Sequence, residues 1–218
     1  MATSTVTADQ VTASARRLLQ DASTVTQRWT TQLLVDLLNE AQLALVALRH
    51  DAHTRSVPFP LVAGTRQSLT ETDYIVLIRA VRNLGMSGTV PGRVISMVSM
   101  EQMDASDPMW HNTPSSDEVL HAVFDERSED AFYVWPQATE GMQIELVVSV
   151  PPRRIVKLSD NISLPDVYAP ALAAYICYAA LAQDMDNTVN RELVNIWYAQ
   201  FTALLQGKDQ AEAMLNRG

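Results

Sequence analysis

The spacing of apolar residues changes period twice along this chain, and that double switch constrains the fold more than any other feature. From Thr7 to about Asp51 apolar side chains recur every three to four residues, the repeat of an amphipathic helix. Between Val57 and Val150 they come instead in short β-branched or aromatic runs bounded by Gly, Pro and Asp, as strands do. From Leu164 to Gln206 the helical repeat returns. A chain patterned in this way reads as α+β. The expected architecture is an α-helical bundle from both chain ends, residues 1–54 and 160–218, with an antiparallel β domain inserted over residues 55–159. A length of 218 residues is enough for one large or two small cores.

Local signals place the elements. Thr7 and Gln10 form a Thr-x-x-Gln capping box ahead of Val11, Ala15, Leu18 and Leu19. Thr30 caps a second helix whose stripe runs from Leu34 to Leu48, with Trp29 and Leu34 spaced as a hydrophobic staple. Strands are expected at Val57–Val62, Tyr74–Val81, Val94–Val98, Val119–Phe124, Ala131–Trp135 and Met142–Val150. The turn-rich stretches 125–130 and 136–141 would join the last three strands as a meander, and Met100–Met103 reads as a single helical turn. Leu164-Pro165-Asp166 opens the next helix with Pro at its first position. The Ala-rich run to Gln183 would let neighbouring helices approach closely. A last helix is expected from Asn187 to Gln206, with Leu193, Ile196, Trp197, Phe201 and Leu204 inward and Gly207 as its stop.

Charge is unevenly distributed. The formal net charge is −9, and residues 101–150 hold eleven acids against Arg127 alone. That segment is the acidic surface, with Asp117, Glu118, Glu129 and Asp130 as its candidate solvent-facing groups. An acidic chain of this kind has no general field favouring nucleic acid or anionic membrane. Cys177 is the single cysteine, which excludes an internal disulfide and a four-cysteine zinc site; its apolar setting marks it as a buried hydrophobe. The N-terminus lacks the basic and apolar regions of a signal peptide, and no uninterrupted apolar run reaches membrane-spanning length. Folding in a reducing cytoplasm is expected.

No catalytic constellation emerges. Asp184-Met-Asp-Asn-Thr188 matches the D-x-D-x-T phosphatase pattern, but that chemistry needs a parallel strand before it, and here a helix precedes. The same stretch lacks the Gly and the final Glu of a calcium loop. His50-x-x-His53 reads as a solvated helix end rather than a metal site, the other histidines being His111 and His121. Nucleotide, serine-hydrolase and zinc-protease motifs are absent. The expectation is therefore a protein with no catalytic, cofactor or metal residues.

A series of blocks remains, in a fixed order: Ala80-Val-Arg-Asn-Leu-Gly, Gly92-Arg-Val-Ile, Met103-Asp-Ala-Ser-Asp-Pro-Met-Trp-His111, Val123-Phe-Asp-Glu-Arg, Phe132-Tyr-Val-Trp-Pro and Ile144-Glu-Leu-Val-Val-Ser-Val-Pro-Pro. Leu164-Pro-Asp-Val-Tyr-Ala-Pro-Ala-Leu and Tyr175-Ile-Cys-Tyr-Ala-Ala-Leu-Ala-Gln-Asp complete it. Over roughly residues 5–206 this order resembles the head-to-tail adaptor (connector) proteins of tailed bacteriophages, with Gln183-Asp184 departing from that pattern's Lys-Asp.

The resemblance implies a structural virion protein, not an enzyme. Such a protein forms a homo-oligomeric, usually dodecameric ring in the neck, between the portal protein and a downstream tail protein (a nozzle or stopper). Double-stranded DNA passes through the channel without specific binding, no membrane is involved, and assembly takes place in the host cytoplasm. An acidic wall suits that passage, because it repels the phosphate backbone. Residues 208–218 read as a polar tail ordered by a partner, either the portal, as the resemblance implies, or a neighbouring adaptor subunit. Its candidate portal-binding residues are Gln210, the apolar anchors Met214 and Leu215, and Arg217 paired with a carboxylate. The alternative from another class is a nonviral binding or chaperone-like helical module with a β insertion.

Overall fold

A computed structural model of the chain describes residues 4–21, 23, 26–69, 73–124, 131–183 and 188–215. It contains five α-helices and seven strands among these residues, an α+β protein. The chain divides into two compact units, Met1–Ala52 with Pro152–Gly218, and His53–Pro151.

The first unit is helical. Helices α1 (Ala8–Leu18) and α2 (Thr31–Leu48) precede the β region; α4 (Ala169–Ala182) and α5 (Thr188–Leu215) follow it. The capping box at α1 forms as its sequence requires, with the Gln10 N–H donating to Thr7 Oγ1 and the Thr7 N–H to Gln10 Oε1. Thr30 Oγ1 likewise accepts from the Leu33 N–H and starts α2. Helix α4 is the centre of this unit: Leu172, Ile176, Cys177 and Ala180 are fully buried, and α1, α2 and α5 all pack on it. Helix α2 has the length and apolarity of a membrane-crossing helix, yet eight of its residues are buried in this core, as befits a core helix.

Two features of the helical unit differ from the sequence expectation. Leu164-Pro165-Asp166 opens a 3-10 turn (Asp166–Tyr168) before α4, so Pro170, not Pro165, occupies the first turn of the α-helix. Helix α5 does not stop at Gly207 but continues to Leu215. A glycine costs a helix only about 1 kcal/mol relative to alanine, and the Gln-Ala-Glu-Ala-Met-Leu run beyond it consists of strong helix formers.

The second unit holds two sheets facing one core. Strand β7 (Gln143–Ser149) lies between β1 (Thr54–Pro60) and β3 (Val76–Gly85), antiparallel to both. The other sheet runs β2 (Gly64–Ser68), β6 (Ala131–Ala138), β5 (His121–Phe124), β4 (Ser96–Ser99). Ile144, Leu146 and Val148 of β7 meet Phe132 and Val134 of β6 across the interior, and the Phe59 and Phe132 rings stand 5.7 Å apart. The period-2 alternation turns Tyr133 and Trp135 to the opposite face, where they cover Trp110, Met103 and Val123 in a second, smaller cluster.

The expected all-antiparallel meander is corrected in two places. First, β4 pairs with β5 in parallel. Parallel neighbours need a crossover of a dozen or more residues, and helix α3 (Met100–Ser106) provides it where a single turn was expected. A Ser99/Gln102 capping box starts that helix. Second, β6 and β7 belong to different sheets, so residues 139–142 carry the chain between sheets instead of closing a hairpin; Gly141 takes the left-handed φ of 82° this requires. Strand β2 was missed because its residues, Gly-Thr-Arg-Gln-Ser, read as turn chemistry. The stretch 125–130 lies outside the described residues.

Asn83, in the first of the quoted sequence blocks, links the two sheets. From β3 its side chain donates to the Val119 and Arg93 carbonyls at 2.8 and 3.0 Å and accepts from the Val119 N–H at 2.9 Å. Gly92 of the next block packs so close that a Cβ there would stand 3.3 Å from the Asn83 backbone oxygen. Replacing Asn83 by Ala strands the buried Val119 N–H and carbonyl and is expected to destabilise the β unit by about 2–4 kcal/mol, measured by urea unfolding followed by Trp fluorescence.

Candidate functional site

Chemistry-bearing side chains are dispersed. Among the described residues no three His, Cys, Asp or Glu side chains gather where they could hold a metal ion. His50 is exposed in a 3-10 turn, and His53 Nδ1 is engaged with the Val150 carbonyl at 2.9 Å, so the two do not converge. His111 stacks on Trp110 with ring centres 3.6 Å apart, and Trp110 Nε1 donates to Asp104. These residues anchor the loop after α3. Asp184–Asn187 of the phosphatase-like pattern lie outside the described residues. Cys177 is buried in α4, and burial pushes its thiol up to about 12, far from a nucleophile's range.

What the helical unit offers is surface. Between α1 and α5, over the small residues Ala169, Pro170, Ala173 and Ala174 of α4, runs an open groove of about 740 Å³. Leu18, Ile196, Trp197 and Leu204 line it, and Arg17 is the single charged residue among the described residues that line it. The expected inward stripe of α5 is corrected here. Phe201 is buried and Leu193 and Trp197 are half-buried, but Ile196 and Leu204 are exposed, while Asn190, Val194 and Leu205 take the inward positions. The physical reason is that α5 carries more apolar surface than α4 alone can cover. The surplus belongs to the sequence, but packing decides which of those residues it leaves exposed.

A carboxylate clamp orders the N-terminal side of this unit. Asp166 accepts from Ser4 Oγ at 2.5 Å, from Thr5 Oγ1 at 2.6 Å and from the Thr5 and Val6 N–H groups. The Ser4 and Thr5 hydroxyls hold its carboxyl down to about 2. A second carboxylate, Asp21, is buried in the link between α1 and α2, where it pairs with Arg16 at 2.8 Å and accepts the Arg28 and Trp29 N–H groups. The sequence pattern did not single out either role.

Of the named acidic residues, Asp117 and Glu118 are exposed in the segment before β5, whereas Glu129 and Asp130 lie outside the described residues. Gln210, Met214 and Leu215 fall within the last two turns of α5, and Arg217 lies outside the described residues.

Two outcomes are expected of this geometry. The folded pKa of Asp166 lies below its unfolded value of 3.8, so the stability it confers is present above that value and lost as pH falls towards about 2. Asp166→Asn should loosen residues 4–6 at neutral pH and abolish their acid-dependent release between about pH 4 and 2, read as the pH profile of Thr5 and Val6 amide protection. The Cys177 thiol should resist alkylation in the folded protein at pH 8 and react fully after denaturation, as measured by mass.

No curated protein sequence matches the chain. A family model, that of the SU10 adaptor protein, matches residues 6–218. The match spans both units and every sequence block quoted above, and it displaces the nonviral alternative. The chain belongs to the SU10 adaptor protein family, a family of structural phage head-to-tail adaptors.

Proposed function

We propose that this protein is one subunit of a dodecameric ring in the virion neck, joining the portal protein above to a nozzle or stopper below. Its helical bundle, residues 1–54 and 160–218, would form the ring body and face the portal. The β domain inserted over residues 55–159 would point towards the tail. The observation that carries this reading is the family match over residues 6–218, which leaves neither unit unassigned. The ring would assemble in the host cytoplasm and take its place on the filled capsid.

Charge supports the direction of the reading. Asp117 and Glu118 are exposed, and with Glu129 and Asp130 they belong to a segment whose eleven acids face one base. Lining the channel or its tail-side exit, such groups repel the duplex and let it slide through during ejection without being held. Exposed acids also give the next tail protein a surface of one sign to read.

At the other end, residues 208–218 would engage the portal through Gln210, Met214, Leu215 and Arg217. The continuation of α5 to Leu215 supports this, since a helix already formed binds without paying its own ordering entropy. Deleting residues 208–218 should leave the far-ultraviolet helix signal and the thermal transition largely intact and abolish co-sedimentation with purified portal rings. Undiminished portal binding by the truncated chain would remove the tail from the proposal.

A further inference from the structure

Two exposed faces of the helical unit complement each other, and they share no residue. One is the groove between α1 and α5, whose rim and floor leave Leu18 44% and Ile196 59% exposed and whose single charge among the described residues is Arg17. Arg17 is exposed and has no ion-pair partner among the described residues. The other is the side of α2 turned away from the core. Asp36, Glu40, Leu43 and Ala47 recur there at three- and four-residue spacing on one helical face. Leu43 is 53% exposed beside a smaller pocket of about 420 Å³ that Asp36 and Glu40 also line. Glu40 has no ion-pair partner among the described residues, and Asp36 accepts from Gln32 Nε2 and stands 3.5 Å from the exposed Arg154.

We propose that the outer face of α2 in one copy of this chain seats in the α1–α5 groove of the next copy, Leu43 entering beside Leu18 and Ile196 and the α2 carboxylates facing Arg17. The signs favour this occupant. An apolar groove with one cation on its rim fits an amphipathic helix that carries one large aliphatic residue and two acids, and α2 is such a helix on the same chain. The heterologous character of the contact follows from the same observation. A groove that met its own copy would set Arg17 against Arg17 or leave α2 bare, whereas a groove that meets α2 uses two different patches. Such a contact is heterologous and propagates head to tail, closing into a ring when the rotation permits. The proposal rests on the adaptor reading for ring closure alone; the pairing of the two faces rests on their chemistry.

The test uses the full chain. Self-association is measured by sedimentation velocity for the wild type, Arg17→Glu, Glu40→Arg and the double reversal. Each single reversal sets like charges opposite one another and should weaken association about tenfold or more, and the double reversal should restore it. In parallel, Leu18→Cys and Leu43→Cys are combined under mild oxidation, with Cys177 buried and out of reach. The pair should give a ladder extending past the dimer on a non-reducing gel, and neither single substitution should crosslink.

Several results would overturn the proposal: a wild-type chain that stays monomeric, reversals without effect, no ladder from the pair, or a dimer from Leu18→Cys alone, which would mark a groove-to-groove contact. It also fails if Ile196→Asp abolishes portal binding while self-association is unchanged, since the groove then belongs to the portal. Portal co-sedimentation of the wild type separates the two readings. A chain that binds portal but ignores the charge reversals sinks the interface and keeps the adaptor. A chain whose association follows the reversals but that never binds portal does the opposite.

Discussion

Helix α4 has little side-chain volume of its own, and the helical unit depends on that. Ala171, Ala173, Ala174 and Ala180 are all buried, and their small size lets α1, α2 and α5 approach its axis closely from different directions. The Cys177 thiol lies 3.8 Å from the Ala15 carbonyl of α1, a distance that a larger side chain at either position would not permit. A helix buried on most of its circumference needs no amphipathic pattern. That is why the run from Ala169 to Ala182 reads as uniformly apolar rather than striped, and why the helices around it carry the stripes.

The surrounding helices are then held by polar groups that close on buried backbone. Arg49 Nη1 reaches the Leu205 carbonyl at 3.1 Å and ties the end of α2 to α5. Asn39 brackets Ile155 with one bond to its N–H and one from its own amide to the Ile155 carbonyl, so the segment after the β region lies along α2. Gln42 accepts from the Ser163 N–H a little further on. Each of these groups would be costly to leave unpaired, and Asn39 and Gln42 thereby fix the position of a stretch that has no regular structure of its own.

The β unit solves the same problem differently. Its strands alternate strictly enough that one face of the β6 sheet builds the main core and the other builds the Trp110 cluster. Both clusters therefore come from a single run, Ala131–Trp135, read two residues at a time. Asn83 and Gly92 explain why two of the sequence blocks that carry the family resemblance contain these residues. An amide that spans two sheets needs both its donor and its acceptor, and the backbone beside it must lie close.

Element type was legible from local chemistry. The capping box at Thr7, the cap at Thr30, and the alternation in β6 and β7 depend only on residues a few positions apart, so a linear pattern records them. Burial of Cys177 was legible for the same reason, as a small apolar residue in apolar company. The candidate surfaces were only half legible. The excess of acids in residues 101–150 and the composition of the last eleven residues are properties of the string; the groove is not. It exists because α1 and α5 both pack on α4 and leave a groove between them, which turns Ile196 and Leu204 from expected core into exposed surface. The parallel β4–β5 pair, the transfer of the chain between sheets after β6, and the clamp of Asp166 on residues 4–6 likewise join positions far apart in sequence. The partners in such pairings are chosen by which surfaces remain unburied once the local elements have formed. No local pattern contains that information, and so tertiary structure alone decided them.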